Sequence, residues 1–302
     1  MKTVVIHGYG GPEQLKFEEF PDPSVGPGDV LIRVIATSVN PFDVKLRSGA
    51  MKDVVPVRFP SILGIDVSGI VESTGDAVHT FAVGDHVAAH ASQTYAQLCV
   101  VKASEMVKIP EGMETNEVAA LPTVTTTGAQ VADLALGSPA SRVILVTGAV
   151  GNVGRSAVYE LKRRGATVIA GVLKRQLEEA LKIGADRVMA LDDEAAMDSL
   201  EPLDGVADTV SGPVTKKLIG KIKNGGVFAS VLGVPSNAGA YPNVQSKNMQ
   251  VQPDPAGLRR MLEAVRDGQL TIPLGQRFAL RDAAQAHAAA EKHAPGKLLL
   301  IA

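Results

Sequence analysis

Residues 142–147, with Val143, Ile144, Leu145 and Val146 in unbroken succession, read as a strand buried on both faces. A helical pattern over 152–164 follows at once and stops at Gly165. The apolar run 166–172 then reads as a second, parallel strand. Further apolar runs at 187–190, 205–210 and 226–232 alternate with stretches between them, which predicts a doubly wound parallel sheet wrapped by helices. The first part of the chain has another texture. Short runs at 30–36, 69–73, 85–89 and 96–101, broken by Gly and Pro turns, predict a compact β-barrel or sandwich. From Asn116 the pattern turns helical and continues over 127–136. Helices at 257–266 and 281–292 and a strand at 296–301 close the chain, and that strand is placed back in the first domain. The expected fold class is α/β, with one domain from 1–122 and 256–302 and a nucleotide-binding one from 123–255.

Composition narrows the classes. The 302 residues suffice for two domains with a sizeable core. Lys and Arg number 30 against 32 Asp and Glu, a net charge of −2, so no field favours nucleic acid or an anionic membrane. Cys99 is the single cysteine, which excludes an intramolecular disulfide and a cysteine-based zinc cluster. The N-terminus reads as a strand and not a signal peptide, and no apolar run approaches the ~18 residues of a membrane span. A soluble, cytoplasmic enzyme is expected.

Between the first two strands of the sheet lies the candidate chemistry. Gly148, Gly151 and Gly154 are spaced G-x-x-G-x-x-G, with Ala149, Asn152 and Val153 between them. Glycine at the first two positions permits a tight turn and close approach of a pyrophosphate, and at the third lets the helix pack closely. The helix N-terminus presents N–H groups to the anion. A Gly-rich connection without a ligand is the plainer reading. The end of the second strand carries Lys174 and Arg175 and no acid, which favours a ribose 2′-phosphate over a 2′-hydroxyl, and so NADPH over NADH. Both could instead be solvated helix-start residues. Ser211 and Gly212, and Leu232, Gly233 and Val234, end later strands on the same side of the sheet.

Ordered motifs carry a resemblance across the whole chain. They are 38–49 around Asn40-Pro41-Phe42-Asp43, 60–69 around Gly64-Ile65-Asp66, 81–87 around Gly84-Asp85, 119–123, the glycine turn, 222–226 and the terminal Gly296-Lys297-Leu298. The chain resembles a zinc-free medium-chain dehydrogenase/reductase of the zeta-crystallin-like quinone oxidoreductase branch. That implies a chaperonin-10-like barrel, a Rossmann domain inserted after it, and a cleft between them where nicotinamide meets substrate. In zinc-bearing relatives the catalytic ligands fall at the positions of Asn40, Ile65 and Thr123, and an amide, a hydrocarbon and a hydroxyl cannot replace two thiolates and an imidazole. His86 and His90, at i and i+4 of a strand-like segment, are not expected on one face beside a third ligand. No metal is expected.

Without a Lewis acid, hydride suits an acceptor that delocalises charge itself, a quinone or an α,β-unsaturated carbonyl. Asn40 is the first candidate for a donor to the reacting oxygen, although a turn residue before Pro41 is the plainer reading. Lys45 and Arg47 could stabilise negative charge on that oxygen, with Asp43 holding the loop. Lys45 departs from the Tyr that relatives often carry. The resemblance also assigns Thr123 and Thr127 to the nicotinamide ribose and carboxamide, Ser211 and Gly212 to the adenosine half, and Leu232, Gly233 and Val234 to the nicotinamide. Ala190-Leu191-Asp192 lacks the ring that relatives place against the adenosine, and the span 235–255 is short for the family. A homodimer is implied, joined by sheet extension through an edge strand near 226–232 or 250–252. Alternatives are an NADPH-binding sensor or structural protein with little turnover, and a zinc-free enoyl-thioester reductase.

Overall fold

The apolar N-terminal run forms β1 (Lys2–Ile6), four of whose five residues are buried, between β2 (Lys16–Glu19) and β4 (Ser61–Ile62) in a three-stranded sheet. The computed structural model describes residues 1–137 and 142–302. They fall into two units: 1–123 with 253–266 and 272–302, and 124–252 with 267–271.

The first unit continues through β3 (Asp29–Ser38), α1 (Pro41–Ser48), β5 (Asp66–Thr74), β6 (His86–His90), β7 (Leu98–Lys102), β8 (Met106–Lys108) and α2 (Thr115–Val118). Strand β3 buries Val30, Ile32 and Val34 at alternate positions, as a strand with one core face must. Helix α1 stands where the sequence analysis expected a loop. Its start and stop signals are all present: Asn40 as N-cap, Pro41 at the first helical position, Asp43 at the third accepting from the Asn40 N–H at 2.9 Å, and Gly49 at φ 79° as C-cap. Helix α3 (Pro122–Leu136) begins at the end of this unit.

The second unit holds β9 (Val143–Thr147), α4 (Asn152–Arg163), β10 (Thr167–Val172), α5 (Leu177–Ala180), β11 (Arg187–Ala190), α6 (Glu194–Asp198), β12 (Leu203–Asp208), α7 (Pro213–Leu218), β13 (Ile222–Ser230) and β14 (Gln245–Asn248). Its sheet is parallel, in the order β11-β10-β9-β12-β13-β14. The pleat explains the unbroken apolar run of β9: Ile144 and Val146 enter one core, Leu145 the core on the opposite face. Two expected strands end earlier than the apolar pattern suggests. The Asp208 carboxylate accepts from the N–H groups of Val210 (3.3 Å) and Ser211 (3.1 Å), which turns the chain after 208. Ser230 does the same for Leu232, whose N–H it accepts at 3.1 Å. Strand β13 is also interior, between β12 and β14, so 226–232 is not a sheet edge. The edge on that side is β14, and 250–252 lies beyond its last residue.

The chain returns to the first unit through α8 (Pro255–Arg266), then β15 (Leu274–Ala279), α9 (Ala283–Glu291) and β16 (Lys297–Ile301). Strand β16 pairs antiparallel with β3, Leu299 opposite Ser38, and completes a seven-stranded sheet. This pairing brings the start of β16 to Asn40, the residue that caps α1.

Candidate functional site

In the second unit the three glycines of the turn have different duties. Gly148 takes φ 60°, and a Cβ there would stand 2.4 Å from Val210 Cγ1 and 2.8 Å from Thr209 Oγ1. A Cβ at Gly154 would meet the Gly148 carbonyl oxygen at 2.2 Å and Ala149 Cα at 2.8 Å. Gly154 thus seats the helix on the turn itself and not directly on the sheet. Gly151 differs from both. It is exposed, its φ is an ordinary −72°, and a Cβ would find only the Gly148 oxygen, at 3.1 Å. Its side-chain space is open to a ligand. Gly151 is also the N-cap of α4 and offers no side-chain cap, so Asn152 and Val153 begin a helix whose positive end has no side-chain acceptor from its cap. Ala149 is buried, its N–H donating to Gly171 at 3.3 Å.

A buried carboxylate, missed by sequence reasoning, organises the strand ends around the turn. Asp208 Oδ1 accepts from the Thr147 hydroxyl at 2.7 Å and Oδ2 from the Ser230 hydroxyl at 2.7 Å. Thr147 in turn accepts from the Thr209 N–H at 2.9 Å. One side chain therefore ties β9, β12 and β13 at their carboxyl ends, where ligands of open α/β sheets bind. Beyond it Ser211 and Gly212 take left-handed backbone (φ 59° and 88°). Gly233, φ 108°, follows β13 between the exposed side chains of Leu232 and Val234. Thr127 is buried on α3.

Lys174 and Arg175 occupy a short turn of 3₁₀ helix after β10, and both are exposed. The Lys174 N–H donates to Asp192 at 2.7 Å, and its ammonium lies 3.7 Å from an Asp193 oxygen.

In the first unit, a polar cluster is buried around Asn40. The Asn40 amide donates to Asp66 Oδ2 at 2.8 Å, and its oxygen accepts from the Lys297 ammonium. Asp66 also accepts from the Ser38 hydroxyl and, at 2.7 Å, from the Thr123 N–H. Lys297 Nζ stands 3.5 Å from Asp66, and neither side chain is more than 4% exposed. Burial disfavours the Asp66 carboxylate, yet the Lys297 charge and the Ser38, Asn40 and Thr123 donors outweigh it and hold its pKa below the usual range. Burial pushes Lys297 down, against the pull of Asp66 and Asp43. Besides Lys297, the carboxylate has three hydrogen-bond donors to offset its burial, from Ser38, Asn40 and Thr123.

Asn40, expected as a donor to a reacting oxygen, lies inside this network. It is 3% exposed and its amide and carbonyl atoms both hold internal partners, so it positions the cluster. Arg47 is 1% exposed and paired with Glu291 of α9, because α1 turns its 47 position inward. Lys45, half-exposed, lies two residues away on another face of the same helix. Asp43 holds the segment, accepting from the N–H groups of Asn40 (2.9 Å) and Gly64 (3.2 Å), and burial pushes its pKa up to about 7. Behind it, Tyr95 bonds to His287 at 3.0 Å, and burial lowers the His287 pKa to about 3.

Half-buried polar groups complete the cluster. His90 Nδ1 lies 2.8 Å from the Thr123 hydroxyl, and burial lowers the ring's pKa against the attraction of Asp66. The period of a strand puts His86 and His90 on one face but about 13 Å apart, with no third ligand beside them among the described residues. His86 bonds Thr115 instead, at 2.6 Å. Among the described residues, no group of three or more His, Cys, Asp or Glu could hold a metal. No helix among them is long and apolar enough to cross a membrane.

Comparison with known proteins gives two family matches, "Alcohol dehydrogenase GroES-like domain" over residues 26–113 and "Zinc-binding dehydrogenase" over residues 183–300. The Spinacia oleracea protein "Quinone-oxidoreductase homolog, chloroplastic" is 34% identical over 199 residues, spanning 63% of this chain and 60% of that one. The "Chloroplast envelope quinone oxidoreductase homolog" of Arabidopsis thaliana is 29% identical over 99% of this chain and 98% of its own. Among solved structures, the quinone oxidoreductase from Coxiella burnetii superimposes with a TM-score of 0.87 at 27% identity, covering 100% of this chain and 99% of that one.

Proposed function

Because the chain belongs to the medium-chain dehydrogenase/reductase family, we propose that it is an NADPH-dependent, metal-independent oxidoreductase that passes hydride to a quinone or an α,β-unsaturated carbonyl. The observation that carries the cofactor reading is the turn at Gly151, where a side chain would enter open space at the uncapped start of a 12-residue helix. A pyrophosphate fits that space, held by backbone N–H groups and the helix dipole. Lys174 and Arg175 bind the 2′-phosphate, Ser211 and Gly212 line the adenosine half, and Leu232, Gly233 and Val234 give an apolar edge to the nicotinamide half. Bound NADPH supplies the hydride.

The donor set does not fit zinc. By the resemblance, Asn40, Ile65 and Thr123 take the ligand positions of zinc-bearing relatives, and the Lys297 ammonium is bonded to the Asn40 oxygen. A fixed cation in that network opposes a second, divalent one. The acceptor oxygen is instead met by the half-buried Thr123 hydroxyl and by Lys45, while Asn40, Asp66 and Lys297 hold the Thr123 N–H and its neighbours in place. The product's proton comes from water. We place the protein in the cytoplasm and as a homodimer, joined through the exposed edge of β14.

Absorbance decay of NADPH in chelator-treated protein, with a panel of quinones and enones, tests the reading. Decay with at least one acceptor is expected. Tight NADPH binding with no decay on any acceptor would favour a sensor or structural protein.

A further inference from the structure

The turn that carries Lys174 and Arg175 does not stand alone. Strands β10 and β11 run parallel in a register that sets Val172 opposite Ala190. The Leu191 N–H continues the ladder to the Val172 carbonyl at 2.8 Å. This brings Asp192 and Asp193 to Lys174, with Arg175 next to it in the chain. Asp192 accepts the Lys174 N–H and so fixes the backbone of the turn. Asp193 reaches the side chain, with Oδ2 3.7 Å from Nζ. Its other oxygen caps α6, accepting the Ala196 N–H at 3.1 Å, so the carboxylate is held in one orientation. That hydrogen bond first, and the Lys174 charge after it, keep the Asp193 carboxylate below the usual range. Lys174 is the more exposed member of the pair, at 73% against 33% for Asp193.

We infer that Asp193 is a cofactor-specificity residue that acts against Lys174: its carboxylate competes with a ribose 2′-phosphate for the same ammonium and so narrows the preference for NADPH over NADH. The inference rests on the proposed 2′-phosphate site and deepens it. Both aspartates lie at Lys174, so a 2′-phosphate that gains its ammonium does so while standing near two carboxylates. To bind it, Lys174 gives up Asp193. NADH, with a hydroxyl at that position, leaves the pair intact.

The test is equilibrium binding of NADPH and NADH to the whole protein and to D193N, K174A, D193N/K174A and K174A/R175A. Asparagine retains the oxygen that caps α6, and D193S, which also caps, serves if D193N does not fold. D193N is expected to tighten NADPH by about two- to fivefold, the span of an exposed ion pair, and to leave NADH unchanged. The gain should vanish in the K174A background and shrink as salt rises. An unchanged NADPH affinity in D193N, equal tightening of both nucleotides, or a gain that survives K174A overturns the inference. If D193N changes nothing while K174A/R175A weakens NADPH selectively, the 2′-phosphate site stands and only the role of Asp193 falls. If K174A/R175A leaves NADPH affinity unchanged, both fall.

Discussion

Removing the Lys297 ammonium should damage the first unit severely at neutral pH and much less in acid. Lys297 and Asp66 are buried together, at 4% and 0% side-chain exposure, with Nζ 3.5 Å from the carboxylate and bonded to Asn40. Lys297→Met keeps the stem and deletes the charge, leaving Asp66 buried with its counter-ion gone. Breaking one partner of such a pair costs roughly 3–5 kcal/mol. For a unit of this size each kcal/mol moves the melting temperature by roughly 2–4 °C, so a loss of about 6–20 °C is expected at pH 7. The sign with pH follows from Asp66. In the wild type its folded pKa is lowered, so it contributes stability above its unfolded value, and that contribution is lost as pH falls through the folded value. In Lys297→Met, the carboxylate keeps its Ser38, Asn40 and Thr123 donors but loses the opposing charge, so its folded pKa rises and the penalty fades as protonation neutralises the carboxyl. The melting gap between the two proteins should therefore narrow from pH 7 towards about pH 4. Adding Asp66→Asn to Lys297→Met should recover a large part of the loss at pH 7. Scanning calorimetry across that range decides it. A variant that melts within about 2 °C of wild type at pH 7, or a gap that does not change with pH, refutes the reasoning.

The turn glycines should separate function from stability. Gly151→Val is expected to abolish NADPH binding with little change in melting, because its side chain enters open space. Gly154→Ala is expected to destabilise by several kcal/mol, because its Cβ would stand 2.2 Å from the Gly148 oxygen; calorimetry and nucleotide titration on both variants check the contrast. Asn40→Ala should cost about 1–3 kcal/mol of stability as well as turnover, since it strips one partner each from Lys297 and Asp66, and unchanged melting would return Asn40 to the role of a free donor. Replacing Lys174 and Arg175 by Ala should raise the Michaelis constant for NADPH by about fivefold per cation and leave NADH unaffected; equal effects on both cofactors would count against a 2′-phosphate site.

What sequence made legible follows the reach of its signals. The strand-turn-helix at 143–163 is local, its apolar period and glycines adjacent in the chain, and it folds as the pattern implies. Helix α1 was equally local, with Asn40, Pro41, Asp43 and Gly49 in cap positions, but its weak apolar stripe hid it. The burial of Arg47 is not legible locally, because its partner Glu291 is 244 residues distant and a cation reads as exposed until that partner is known. The same distance concealed the Asn40 network: Lys297 enters it only because β16 pairs with β3, 257 residues away in the chain. Strand ends at 208 and 230 were missed because side-chain bonds from Asp208 and Ser230, not hydropathy, turn the backbone there. The sheet edge is hard to place from sequence, since β14, Gln245-Ser246-Lys247-Asn248, carries no apolar signal at all.

The central claim, hydride transfer from NADPH without a metal, is tested most directly by steady-state turnover of chelator-treated protein with NADPH and with NADH against one quinone acceptor, before and after adding zinc. The account predicts turnover with both cofactors, higher kcat/KM for NADPH, and no gain from zinc. Activity that appears only when zinc is restored, or equal efficiency with the two cofactors, would contradict it.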